Sequence, residues 1–316
     1  MHAVTITDGN LELAERRTPN PGPYDVVVAV RAAGINAADL LQRQGLYPPP
    51  PGWPVDIPGM ELSGVVSAVG DRVNEPLLGR RVCALVGGGA QATHCVVPSE
   101  HLMYIPDHVS WIEAGGFAEA FTTAHDALVT QGKIVPGDRV LISGAAGGVG
   151  VAGVQIARAF GCHVTAVTRT SEHHELLRAL GANETITLDE VDALEPVNVL
   201  LELIGAAHFN LAQRLLAPFA RAVVIGVSGG GSRAEVDLLN VMRVRATITG
   251  STLRSRSREE KAQVVSLVNH DLVPLWTTSE LSVPIAKSFA LTDVEAAYDF
   301  FGRPGKFGKV ILRVDE

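Results

Sequence analysis

Residues 139–150 read RVLISGAAGGVG. Arg139-Val140-Leu141-Ile142-Ser143 has the apolar, β-branched character of a buried strand. It runs straight into a glycine cluster, and the spacing after it predicts a helix over 149–160. The cluster is a GxGxxG turn with alanine in the first glycine slot: Ala145, Gly147, Gly150. Each position has a physical task. Gly147 lets the backbone approach a pyrophosphate, and Gly150 lets helix and strand pack closely. The helix start offers N–H groups and a positive dipole end to the anion. Ala145, Ala146, Gly147, Gly148, Val149 and Gly150 are therefore the candidate dinucleotide cradle.

Working outward, β and α segments alternate. A strand is expected at 163–168, a helix at 171–180, a strand at 197–201, a helix at 210–216, and strands at 222–225 and 246–250. That order predicts a parallel, doubly wound sheet with right-handed crossovers. The second strand ends in Val167-Thr168-Arg169-Thr170-Ser171, with no carboxylate before Glu172. An acid at this point bonds the ribose 2′-hydroxyl of NAD, whereas a basic residue suits the 2′-phosphate of NADP. Arg169, with Thr170 beside it, predicts NADPH as the cofactor.

Before residue 110 the pattern is β-rich, with short apolar runs at 26–30, 64–69 and 81–86 separated by Gly and Pro. Residues 48–54, PPPPGWP, suit neither a helix nor an inner strand and predict a stiff loop. A charged helix is expected at 257–270 and a closing strand at 309–314.

The chain has 316 residues, which at about 150 per domain suggests two domains. Hydrophobic residues make up 47% and charged residues 19%, an ordinary core-forming balance that excludes intrinsic disorder. The 32 Gly and 18 Pro are aperiodic, which excludes a collagen-like chain. A net charge of −8 argues against nucleic acid or an anionic membrane as partner. The three cysteines, Cys83, Cys95 and Cys162, are too sparse for a disulfide framework and form no CxxC. His94, Cys95 and His101 lie close in sequence, but strand alternation over 91–98 turns His94 and Cys95 to opposite faces. No metal is expected there. No apolar leader or membrane-length run is visible, so a cytoplasmic protein is expected.

Residues 34–39 (GINAAD), 59–61 (GME) and 144–150 occur in the order that resembles the medium-chain dehydrogenase/reductase superfamily. Within it the chain is similar to the zinc-independent quinone oxidoreductase branch, which includes the zeta-crystallins. Residues 24–28, 43–47 (RQGLY), 70–73, 79–82 and 308–312 support this along the whole length. The resemblance implies an α/β fold: a Rossmann domain over 121–257 and a β-rich GroES-like catalytic domain over 1–120 and 258–316. In zinc-dependent relatives, cysteine, histidine and cysteine occupy the slots of Asn36, Met60 and Glu119. This donor set implies no metal.

The resemblance also assigns roles. Asn36 approaches the nicotinamide ribose and Thr123 the nicotinamide. Gly226, Val227 and Ser228 pass the cofactor's backbone, and Arg254 and Arg256 add positive charge near it. Arg169 stands where relatives often have glycine, and His173 where lysine is common. The implied reaction is hydride transfer from NADPH to a quinone or another α,β-unsaturated carbonyl. Tyr47, on the proline-stiffened loop, is the candidate proton donor, with Asn36 as second candidate. Two alternatives stand beside it: an enoyl-thioester reductase, and an NADPH-binding protein of little turnover in a structural or RNA-binding role. A homodimer is expected, with 236–244 and 246–250 pairing across a two-fold axis.

Overall fold

The structure, a computed structural model, describes residues 1–227, 229 and 231–314, with the backbone alone at Asp192. The chain divides into two units, Met1–Thr122 with everything from Leu253 on, and Thr123–Thr252.

The first unit opens with β1 (His2–Thr7), β2 (Asn10–Glu15), β3 (Asp25–Ile35), α1 (Ala37–Arg43), β4 (Glu61–Val69), β5 (Arg81–Leu85), β6 (His94–Pro98) and β7 (Leu102–Tyr104). Two helices follow, α2 (Trp111–Ala114) and α3 (Ala118–His125). The second unit then contributes β8 (Arg139–Ile142), α4 (Gly148–Ala159), β9 (His163–Thr168), α5 (His174–Leu180), β10 (Glu184–Thr187), β11 (Val197–Glu202), α6 (Ala206–Ala212), β12 (Leu216–Val224), α7 (Leu238–Val244) and β13 (Thr247–Gly250). The chain returns to the first unit with α8 (Arg258–Asp271), α9 (Val273–Thr277), β14 (Ile285–Ala290), α10 (Val294–Gly302) and β15 (Lys309–Arg313).

In the second unit six parallel strands lie in the order β10-β9-β8-β11-β12-β13. Val140, Leu141 and Ile142 of β8 are fully buried, as expected of a parallel strand covered on both faces. The winding reverses between β8 and β11, and at such a switch point the strand ends open a crevice. α4 starts there. Gly150 is needed on packing grounds, because a Cβ would meet the backbone of Gly144 and Ala145 at 2.5–2.7 Å.

The first unit carries a seven-stranded sheet, β14-β15-β3-β4-β5-β7, with β6 also paired to β3. Its β3 is the hub, and Val26, Val28 and Val30 on it feed the core with Leu62, Val82 and Leu312. Antiparallel pairing sets Val310 opposite Ile35. That register carries the chain's last strand to the segment around Asn36.

Some expectations change. The helix expected at 210–216 lies earlier, at Ala206–Ala212, and the strand expected at 222–225 already starts at Leu216. The strand expected over 91–98 spans only His94–Pro98, with Ala92 bridging Ala3 instead. Residues 236–244, expected to form a pairing strand, contain the helix α7. Asp237 caps it by accepting the Asn240 N–H at 3.0 Å, and its residues, mostly not β-branched, favour the helix. β13 does form, and it takes the edge of its sheet.

Candidate functional site

In the second unit, the candidate residues gather at the carboxyl edge of the parallel sheet. The turn after β8 is tied down by the Ala145 N–H, which donates to Val167 O of β9 at 3.0 Å. Gly147 takes the N-cap position of α4 with extended backbone and no side-chain cap. The first N–H groups of a twelve-residue helix are therefore left for another acceptor. Gly147 is exposed, and a Cβ placed on it would meet only Gly144 O, at 3.5 Å. Its outer side faces open space, the geometry that admits a phosphate against the backbone.

At the end of β9 the buried Thr168 hydroxyl donates to Thr170 O at 2.8 Å and lies 2.9 Å from His174 Nε2. This local turn leaves Arg169, Thr170 and Ser171 exposed. After β12, the N–H groups of Ile225 and Gly226 both donate to Glu202 O, at 2.9 and 3.2 Å. Gly226 lies so close to Leu203 O that a Cβ would come within 2.6 Å of it. Val227 is exposed, and Ser228 lies outside the described residues. Thr123 is buried in the second turn of α3.

One cluster was not anticipated. Glu202, fully buried at the end of β11, accepts from the Ser143 hydroxyl at 2.9 Å and from the N–H groups of Ile204 and Gly205 at 2.7 and 2.9 Å. Its other oxygen lies 2.5 Å from Nδ1 of the equally buried His208. Burial works to raise the Glu202 carboxyl. The His208 hydrogen bond and charge, with the two backbone donors, outweigh it and hold the carboxyl below its ordinary range. The cluster ties the ends of β8 and β11 together beside the switch point. The signal was a lone acid closing the apolar run 197–202.

In the first unit, Asn36 follows β3 and caps α1. Its amide is engaged at both ends: Nδ2 donates to Glu61 Oε1 at 2.9 Å, and Oδ1 accepts from Lys309 Nζ at 2.6 Å. Glu61 Oε2 accepts the Glu119 N–H at 2.8 Å, and Lys309 closes on Oε1 at 2.5 Å. Met60 is buried next to this group in sequence. Below it, Asp39 accepts the N–H groups of Asn36 and Gly59 at 2.8 and 3.1 Å, and its burial pushes its pKa up to about 6.

The slots that hold zinc in metal-dependent relatives thus carry an amide, a thioether and Glu119. The amide oxygen already accepts from an ammonium, whose charge would repel a divalent cation. This donor set does not fit zinc. Among the described residues no cluster of three or more His, Cys, Asp or Glu is arranged to hold a metal.

Tyr47 lies on the loop after α1, half-buried. Arg254, expected near the cofactor, is buried in the first unit. It donates to Tyr47 O and Gly87 O at 2.9 Å each and to Gln42 Oε1 at 2.5 Å. Its guanidinium carbon sits 5.0 Å from the Tyr47 ring centre. Arg256 is half-buried two residues on.

Comparison with known proteins adds the family context. The alcohol dehydrogenase GroES-like domain matches residues 22–136, and the zinc-binding dehydrogenase family matches residues 148–270. The synaptic vesicle membrane protein VAT-1 homolog of Rattus norvegicus is 30% identical over 315 residues, covering 93% of this chain and 78% of its own. The quinone oxidoreductase of Homo sapiens is 27% identical over 331 residues, covering 99% and 97%. Among solved structures, the quinone oxidoreductase from Thermus thermophilus, also determined in complex with NADPH, superposes with a TM-score of 0.87 at 33% identity, covering 99% and 100%. The CurK enoyl reductase gives 0.84 at 25% identity, covering 99% of each chain. No helix among the described residues is long and apolar enough to cross a membrane.

Proposed function

The chain belongs to the medium-chain dehydrogenase/reductase superfamily, in its quinone oxidoreductase branch, and we propose on that footing that it is an NADPH-dependent, metal-independent reductase of quinones and other α,β-unsaturated carbonyls. One observation carries this reading. β9 is followed at once by an exposed arginine with hydroxyl donors and no carboxylate, on the same sheet edge as the uncapped start of α4. A guanidinium at that point recognises a 2′-phosphate, and an acid would repel it.

The reduced nicotinamide cofactor, when bound, supplies the hydride. The chain's own residues hold and orient. Residues 145–150 form the turn around the pyrophosphate, with the N–H groups of Gly148, Val149 and Gly150 at the start of α4 presented to it; Arg169 and Thr170 hold the 2′-phosphate, and Gly226 and Val227 border the cofactor. Thr123 borders the nicotinamide. Asn36, its amide fixed by Glu61 and Lys309, retains a second Nδ2 hydrogen for the ribose. We assign Tyr47 as the donor to the acceptor's oxygen, since charge developing there needs a hydrogen bond. Arg254 holds the Tyr47 main chain, so the phenol is offered from a fixed backbone. An acceptor already activated by conjugation does not need the Lewis acid that this site does not fit.

Homodimerisation across a two-fold axis is supported by the edge position of β13 and by exposed Leu238, Leu239 and Met242 on α7. Sedimentation tests it. The likeness to an enoyl reductase keeps the thioester in view. A substrate panel tests the function: NADPH oxidation with 1,2-naphthoquinone, benzoquinone, an enone and a crotonyl thioester. Turnover of the quinones or enone supports the proposal, and thioester turnover alone favours the enoyl reductase. Tight NADPH binding with silence on every acceptor overturns catalysis altogether.

A further inference from the structure

A cavity of about 610 Å³ lies within the first unit, and neither Asn36 nor Tyr47 lines it. Trp53, Pro50, Pro54 and Ile57 give it an apolar wall. Against this wall stands Lys261, from the first turns of α8 and only 4% exposed. Among the described residues its Nζ has no carboxylate and no hydrogen-bond acceptor, and it faces the Trp53 ring, 5.9 Å away at its centre. Lysine is rarely buried unless paired. Its place near the positive end of a helix adds to the cost, since the dipole there favours anions. Burial, then the charge of Arg254, draws the Lys261 pKa down from its ordinary value.

A second polar group on the same wall is incomplete. His101 is 1% exposed, and its Nε2 is satisfied by Arg258 O at 2.9 Å, but Nδ1 has no partner. Asp25 is the one carboxylate among the lining residues, held by Arg258 at 2.8 Å, and Arg258 is also paired with Glu100. A mostly apolar chamber whose buried ammonium has no acceptor selects its occupant.

We propose that this cavity binds a small aromatic carboxylate, its charge on Lys261 Nζ and its ring against Trp53 and the prolines. The volume lies in the usual range for small-molecule sites. The apolar wall disfavours inorganic phosphate, and the buried ammonium disfavours a neutral arene, which would leave it unpaired.

Calorimetric titration of the full chain with 2-naphthoate and with 2-naphthalenemethanol, its neutral counterpart, tests this without any substitution. Naphthoate should bind at least about tenfold more tightly than the alcohol. Lys261→Met should abolish that preference by weakening naphthoate alone, Lys261→Arg should retain it, and Trp53→Leu should weaken both ligands. Saturating NADPH should leave naphthoate binding unchanged. The proposal is overturned if naphthoate does not bind, if it binds no better than the alcohol, if K261M binds it as the parent does, or if NADPH displaces it.

Discussion

Lys309 Nζ lies 2.5 Å from Glu61 Oε1, and both side chains are almost wholly buried. The pair is a product of topology. β15 pairs antiparallel with β3, which places the chain's closing strand against Ile35 and brings Lys309 to Asn36. Gly34 makes room for it, because a Cβ there would overlap the Glu61 carboxylate. An ammonium thus braces the amide that stands in a zinc-ligand slot of metal-dependent relatives.

Removing one partner of this pair leaves an uncompensated buried charge. Lys309→Met is expected to cost about 3–5 kcal/mol of unfolding free energy. Adding Glu61→Gln to K309M should recover part of that loss, because the orphaned charge is gone. Urea unfolding checks both. A single-variant loss below about 1 kcal/mol would mean that the pair is solvated in solution.

Asp39 sets a pH dependence of the opposite sense to most carboxylates. Its carboxyl, desolvated at the base of the Asn36 cap, titrates near 6 in the folded chain against an ordinary 3.8. Between these values the folded state holds a proton that the unfolded state has released. Stability from Asp39 is therefore present below about pH 4 and lost as pH rises through about 6, a change of about 3 kcal/mol. Asp39→Asn lacks this ionisation. The stability of the parent relative to D39N should fall by that order between pH 4 and pH 7, whatever the variant's baseline. Parallel stability profiles would contradict the assignment.

Tyr47→Phe removes the proposed donor while leaving the main-chain carbonyl that Arg254 holds. Turnover of quinone acceptors should drop about tenfold to a hundredfold, with the Michaelis constant for NADPH unchanged. Turnover at the parent rate on every accepted substrate removes Tyr47 from the mechanism.

Much of the second unit was legible because its signals are local. The residues 139–150 carry strand, turn and helix start in one run, and Arg169 follows at the expected remove. What remained hidden depends on pairing between distant segments. No spacing rule connects Asn36 with Lys309, 273 residues apart, or Ser143 with Glu202. Arg254 looked like one of two basic residues in 253–257, and only the fold brings Gln42, Tyr47 and Gly87 to it. α7 escaped because Val236, Val241 and Val244 suggested a strand, while the Asp237 cap and the residues between them that are not β-branched favour the helix.

Recognition of the 2′-phosphate by Arg169 is measured by the ratio of kcat/KM for NADPH over NADH with 1,2-naphthoquinone, in the parent and in Arg169→Asp. The parent should prefer NADPH by at least about tenfold, the worth of one charge-assisted contact, and R169D should lose or reverse that preference as the new carboxylate repels the 2′-phosphate. Equal use of both cofactors by the parent, or an undiminished NADPH preference in R169D, would contradict it.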